Sequence, residues 1–391
     1  MHRCLPLLLC LAAYAGDVKV EKPESAGMSS QRLERIGTWL NELVRRKEAA
    51  GFVSLVARHG KVVHHQAVGT RGMRNPDPMP ADALFDLASM TKPITVAAAL
   101  MLLEEGRITL NDPIANYLPE FKDARVEVRP GAYEPARPIT VQHLFTHTSG
   151  VFDPRSRAEK FSAPTLAGHM RTFAKLPLRY QPGSTYLYGD SHDVLGYLVE
   201  KVSGLALDRF VQERILTPLE MNETHYWPPE SKDNRRAILV VNKEDDPQSL
   251  SRVPPAAARA RTYIGGASGL YSTAADYWRF SQMLLNGGVF EGKRLLGPRT
   301  VSWMARNHIG DLKSFRTPGT RFGLGLAVVE DPGASGLPYS KGAYYWGGSQ
   351  GTLFWIDPTE DLVGVLMVQL TPNPLKLRER FSALVYASII E

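Results

Sequence analysis

"LASMTKPIT", Leu87 to Thr95, is the stretch on which the reading of this chain turns. Ser89 stands three residues before Lys92. Pro93 follows at once, and then an alanine-rich apolar run continues to Gly106. Proline is tolerated in a first helical turn, so a helix is expected to open here, with Ala97 to Leu103 carrying it on. The i, i+3 spacing puts Ser89 and Lys92 on one helical face. A serine hydroxyl is a weak nucleophile until a base takes its proton. A lysine desolvated in a cleft can serve as that base, and a helix N-terminus favours the negative charge that develops nearby. The plain alternative is a serine that caps a helix beside a solvated lysine. Ser-x-x-Lys recurs by chance, so the reading needs partners.

Two further stretches supply them. "PGSTYLYGDSHDVLGYLVEKVSG", Pro182 to Gly204, places Tyr188 at a loop-to-helix junction, with Val194, Leu195, Leu198 and Val199 on the inward face of the helix. A tyrosine there could help Lys92 deprotonate Ser89 and then protonate a leaving alkoxide. Otherwise it is a half-buried aromatic whose hydroxyl meets backbone. "YYWGGSQGTLFWID", Tyr344 to Asp357, reads as a strand whose Gly347 and Gly348 let its edge approach another group closely. The Ser349 N–H could pair with that of Ser89 as an oxyanion hole.

The rest of the chain sets limits. Its 391 residues suit one large domain or two intimately packed ones, and no internal repeat interrupts them. The net charge of +6 is small and scattered, with short clusters such as Arg45–Arg46–Lys47, which argues against a nucleic-acid binder. Both cysteines, Cys4 and Cys10, lie in "MHRCLPLLLCLAAYAG". That excludes a disulfide framework, a zinc–thiolate site and a cysteine nucleophile. Residues 1–16 have the basic start, short apolar run and Ala13-Tyr14-Ala15 pattern of an export signal, and the run is too short to span a membrane. A periplasmic or secreted protein is expected if the signal is used, and a cytoplasmic one otherwise.

"QRLERIGTWLNELVRRK" has helical spacing at Leu33, Ile36, Leu40, Leu43 and Val44. "FVSLVARHGKVVHHQAVG" reads as a hairpin turning at His59-Gly60, and "TLFWIDPTEDLVGVLMVQL" as another turning at Asp357-Pro358. A final helix is expected in "LRERFSALVYASII". Strands at both ends with helices between predict an α/β lobe (17–84 and 262–391) whose antiparallel sheet is built from both termini. A mainly helical insertion (85–261) would form a second, all-α lobe, with a cleft between the two.

Ser-x-x-Lys opening a helix, Tyr-x-Asp about a hundred residues on and a Gly-Gly strand near the end resemble the serine β-lactamase and penicillin-binding protein superfamily. The surrounding text is similar to its class C branch, and within that to the family VIII carboxylesterases. "LFTHTSGV" (Leu144–Val151) and "GGASGLYSTAADYWRFSQMLLNGG" (Gly265–Gly288) belong to the same resemblance. It implies a serine β-lactamase-like fold, a cleft where Ser89, Lys92 and Tyr188 meet, and acylation of Ser89 followed by hydrolysis. No cofactor or metal is implied. His64 and His65 fall on opposite faces of a strand, which disfavours a shared metal, and His147 is expected to fix a loop.

Departures from the superfamily pattern point to an ester. Trp346-Gly347-Gly348 stands where lactamases and peptidases carry Lys-Thr-Gly. An indole cannot replace an ammonium group against a carboxylate. A neutral, apolar, short-chain ester is expected, with Tyr344, Tyr345 and Phe152 as apolar walls. Asp190 stands where asparagine is usual and cannot donate a side-chain amide hydrogen bond to a β-lactam. Weak cephalosporin cleavage is compatible with the shared acylation machinery. The competing readings are a class C-like β-lactamase, a D-Ala-D-Ala peptidase, and a non-catalytic relative that binds peptidoglycan or a partner. The partner expected is a small ester, acting on a monomer or homodimer. "GGSQG" at Gly347–Gly351 also matches the Gly-x-Ser-x-Gly nucleophile elbow, but no histidine follows Ser349 and a strand, not a helix, is expected after it.

Overall fold

The computed structural model describes residues 18–151, 165–241, 263–314 and 317–391. The expected export signal at residues 1–16 and the expected wall residue Phe152 therefore lie outside the described residues.

The strands of the main sheet are numbered along the chain. They are β1 (Gly51–Arg58), β2 (Lys61–Gly72), β3 (Asn75–Pro78), β4 (Thr320–Phe322), β5 (Ala327–Val329), β6 (Tyr344–Gly347), β7 (Leu353–Asp357) and β8 (Leu362–Met367). Their spatial order is β4-β5-β6-β7-β8-β1-β2-β3. Every neighbouring pair is antiparallel. The first and last parts of the chain meet where β1 pairs β8, with Val53 opposite Met367 and Arg58 opposite Leu362. All eight residues of β1 are buried, as a strand covered on both faces requires. The first hairpin turns at His59-Gly60, with Gly60 at φ 69°. The second spans Pro358 to Asp361, slightly longer than the sequence suggests.

The principal helices are α1 (Ser30–Arg45), α2 (Thr91–Glu104), α3 (Ser191–Ser203), α4 (Ala274–Leu285) and α5 (Leu377–Tyr386). Side chains alternate across a strand, so adjacent residues of β7 show what covers each face. Phe354 meets Tyr277 of α4, with ring centroids 4.9 Å apart. Trp355 meets Phe381 of α5 at 5.2 Å. Thus α4 covers one face, while α5, packed on α1, covers the other. Burying Phe354, Trp355, Tyr277 and Phe381 supplies about 1.5–3 kcal/mol for each large apolar side chain.

Helix α2 has no polar stripe. Every residue from Thr91 to Leu102 is buried, the signature of a helix enclosed on all sides. It packs against α3 and carries the Ser89 segment at its N-terminal end. The interval expected to be mainly helical also holds an antiparallel hairpin, Arg125–Arg129 with Ala132–Pro135. Its mostly exposed strands bury little apolar surface, which is why no hydrophobic period announces them.

Candidate active site

Ser89 does not lie within α2. It sits in a single 3-10 turn, Ala88–Met90, and the α-helix starts at Thr91. In a 3-10 turn, side chains at i and i+3 eclipse one another, so the expected meeting with Lys92 still occurs: Lys92 Nζ donates to Ser89 Oγ at 3.2 Å. The turn is entered through Ala88 at φ 46°, a left-handed conformation costly for a residue with a Cβ. Three contacts hold it. The Ala88 N–H donates to Asp86 Oδ1 at 2.9 Å. The Leu87 N–H donates to the Leu270 carbonyl at 2.9 Å. The Tyr277 hydroxyl of α4 donates to the Met90 carbonyl at 3.0 Å.

Lys92 is buried. Its ammonium also donates to the Ala267 carbonyl at 2.8 Å and lies 4.8 Å from the Tyr188 ring centroid, within cation–π range. The Ala267 loop is bolted on two sides. Thr95 Oγ1 of α2 donates to the Gly266 carbonyl at 2.7 Å. The Ala267 N–H donates at 2.8 Å to Asp193 Oδ1, a fully buried carboxylate on α3. The backbone of one residue, Ala267, thus links Asp193 to Lys92. The sequence offered Asp193 only as a polar residue on a helix that buries its neighbours.

Tyr188 is half-buried, with its ring 4.6 Å from that of His147 and 5.4 Å from that of Trp346. His147, at φ 55°, fixes the loop: its carbonyl accepts the Leu187 N–H at 2.8 Å and its Nδ1 accepts the Gly189 N–H at 3.4 Å. Burial above all, with His192 and Lys92 close by, holds its imidazole well below the ordinary histidine range. His192 is pushed down to about 3 by burial and by Lys92, and its Nε2–H donates to the Phe145 carbonyl at 3.2 Å. Both rings are neutral supports at neutral pH.

Strand β6 closes the cleft. A Cβ on Gly348 would come within 2.5 Å of the Leu87 carbonyl and 2.3 Å of Thr352 Oγ1, so only glycine lets this edge reach the Ser89 segment. Gln350 Nε2 donates to Asp86 Oδ2 at 3.2 Å, so one carboxylate braces both the Ser89 turn and the Ser349 loop. Ser349 is exposed, and the chain continues into β7. Its setting is strand–turn–strand, without the helix a nucleophile elbow needs.

Ser89, Tyr188, Tyr345, Trp346, Gly347, Gly348 and Ser349 line one cleft of about 540 Å³. Lys92 stands behind Ser89. Asp190 is the residue preceding α3 and is not among those lining the cleft. Tyr344, expected as a wall, is buried and is also not among them. Residues Arg378, Asn373 and Leu377 line the cleft without having been expected there. Among the described residues no group of three or more His, Cys, Asp or Glu side chains could hold a metal, and no helix is long and apolar enough to cross a membrane.

Comparison with known proteins identifies the family and the fold. The family model described as Beta-lactamase matches residues 38–387. Protein Rv1367c of Mycobacterium tuberculosis is 33% identical over 348 residues, covering 83% of this chain and 86% of that protein. Esterase EstB of Burkholderia gladioli is 30% identical over 353 residues, with the same coverage of 83% and 86%. The solved structure of EstCE1, a hydrolase with promiscuous acyltransferase activity, superposes with a TM-score of 0.80 at 25% identity, over 91% of this chain and 99% of that one.

Proposed function

Since the chain belongs to the beta-lactamase family, we propose that it is a carboxylesterase-type serine hydrolase that cleaves short-chain esters through an acyl-enzyme on Ser89. The observation that carries this reading is the buried Lys92 Nζ, 3.2 Å from Ser89 Oγ at the wall of the cleft. Similarity to Esterase EstB and EstCE1 supports the esterase branch.

With Nζ as the free amine, the Ser89 proton passes to Lys92 as Oγ bonds to the ester carbonyl carbon. The carbonyl π pair moves onto oxygen, facing the backbone N–H groups of Ser89 and Ser349. As the tetrahedral centre collapses, the carbon–alkoxide bond breaks and the alkoxide takes a proton through Lys92 and Tyr188. Water then attacks the acyl carbon, gives up a proton to the same pair, and Ser89 leaves with its own proton restored. Asp193 and Ala267 hold Lys92 at its distance, and Asp86 sets the gap between the two N–H donors.

The open cleft of about 540 Å³ suits a small acyl group. A series of 4-nitrophenyl esters from acetate to dodecanoate should give kcat/KM peaking between acetate and hexanoate, insensitive to EDTA. An optimum at the long end, or loss of activity with EDTA, would overturn the short-chain, metal-independent reading. Nitrocefin in the same assay tests the weak β-lactam cleavage that the shared acylation parts would permit.

A further inference from the structure

Tyr188 belongs to no helix or strand, yet proton transfer needs its hydroxyl at a fixed place. The residues on either side of it are both tied to His147. The Leu187 N–H donates to the His147 carbonyl at 2.8 Å, and the Gly189 N–H donates to His147 Nδ1 at 3.4 Å. The imidazole also lies against the phenol ring itself, with centroids 4.6 Å apart. One residue thus grips Tyr188 by the chain before it, the chain after it and its ring.

His147 is itself enclosed. Its ring lies 5.6 Å from that of Phe322 on β4 and 4.3 Å from that of His192 on α3. Phe322 lies 5.3 Å from Trp346 of β6, and Trp346 lies 5.4 Å from Tyr188. His147, Tyr188, Trp346 and Phe322 therefore form a closed cycle of four rings, anchored on two strands of the main sheet. Lys92 Nζ lies 4.8 Å from the Tyr188 ring centroid, so the cycle also sets how the tyrosine meets the amine.

Packing alone does not call for a histidine at this position. Nδ1 accepts the Gly189 N–H, so the neutral ring carries its proton on Nε2. That N–H is buried and finds no acceptor among the described residues, a cost that a hydrocarbon side chain would avoid. What the imidazole adds in return is the Nδ1 acceptor beside Tyr188.

We propose that His147 is a positioning residue for Tyr188, fixing the phenol for transfer of a proton to the departing alkoxide. This deepens, and rests on, the reading of Tyr188 as part of the proton-transfer pair.

Two butyrate esters separate positioning from general damage. 4-Nitrophenoxide leaves without a proton, whereas ethoxide must gain one as the carbon–oxygen bond breaks. The quantity read is the ratio of kcat/KM for ethyl butyrate to that for 4-nitrophenyl butyrate, so a loss common to both cancels. Tyr188→Phe, the reference, should lower this ratio about a hundredfold. His147→Asn tolerates the left-handed backbone and keeps an acceptor near Gly189, but removes the ring. It should lower the ratio about tenfold, with the change for ethyl butyrate mainly in kcat. Should His147→Asn not fold, Phe322→Leu decides instead. It frees the far side of the imidazole and should lower the ratio about threefold. A ratio within about twofold of wild type in the deciding variant, while Tyr188→Phe lowers it, overturns the positioning role and leaves Tyr188 in place. An unchanged ratio in Tyr188→Phe overturns the reading of the tyrosine and the proposal with it. A wild-type protein unable to cleave ethyl butyrate has no such proton transfer to position, which overturns the proposal. One that cleaves neither ester overturns the esterase reading as well.

Discussion

Ser89 and Ser349 line the same cleft but stand in opposite kinds of surroundings. Ser89 follows a left-handed alanine, opens a fully buried helix and has the Lys92 amine 3.2 Å from its hydroxyl. Ser349 is exposed on a turn between two paired strands, inside a Gly-x-Ser-x-Gly string. The string is the more familiar pattern, yet among the described residues no basic side chain hydrogen-bonds to the Ser349 hydroxyl, as Lys92 does to that of Ser89. On the proposed reading, what marks Ser89 as the nucleophile is the buried Lys92 beside its hydroxyl and the left-handed Ala88 that holds its turn in place.

If that contrast is right, Ser89→Ala has the largest effect, a loss on the order of a thousandfold or more in kcat on 4-nitrophenyl butyrate. Lys92→Ala and Tyr188→Phe should each cost about 3 kcal/mol or more of transition-state stabilisation, and the double variant little beyond either, because parts of one proton-transfer unit are not additive. Near-wild-type rates in Tyr188→Phe would reduce the tyrosine to a wall.

The support beneath Lys92 offers a finer test. Asp193→Ala removes the acceptor for the Ala267 N–H and should lower kcat about tenfold to a hundredfold with KM little changed. Asp193→Asn, whose amide oxygen can still accept that N–H, should recover most of the loss. Equal defects in the two variants would mean that the carboxylate charge, not the hydrogen bond, matters.

A stability effect follows from the same region. Burial and Lys92 hold the His192 imidazole down at about 3, against about 6.5 unfolded. Between those values the unfolded chain binds more protons than the folded one, so the contribution from His192 is present above about pH 6.5 and is lost as pH falls toward 3. The ceiling is about 1.4 kcal/mol per pH unit. The urea midpoint should therefore fall between pH 7 and pH 5, and fall less in His192→Gln. An equal fall in both would place the acid sensitivity elsewhere. The smallest effect belongs to Ser349→Ala, which should keep activity within about threefold, since only its N–H is used.

How much of this was legible depended on how far apart in the chain the partners lie. The His59-Gly60 hairpin, α1, and the meeting of Ser89 with Lys92 follow from short-range alternation, helical period and i, i+3 spacing. The start of α2 was misplaced by two residues, because nothing local marks the left-handed turn at Ala88. Arg378 lies 32 residues beyond Trp346 and reaches its carbonyl only after α5 folds back. Lys92 and Ala267 are 175 residues apart, and Ala267 and Asp193 are 74 apart. Such contacts leave no periodic trace. Tyr188, by contrast, was found at its distance because a Pro-Gly turn and a helix start fixed its place.

The central claim is that Ser89, and not Ser349, carries the acyl group. Incubation with an alkyl phosphonate inhibitor, proteolysis and peptide mass spectrometry test it without relying on any rate. The account predicts one adduct, on the peptide containing Leu87–Thr95, that disappears in Ser89→Ala and persists in Ser349→Ala. An adduct on the peptide containing Ser349 in the wild-type protein would contradict it.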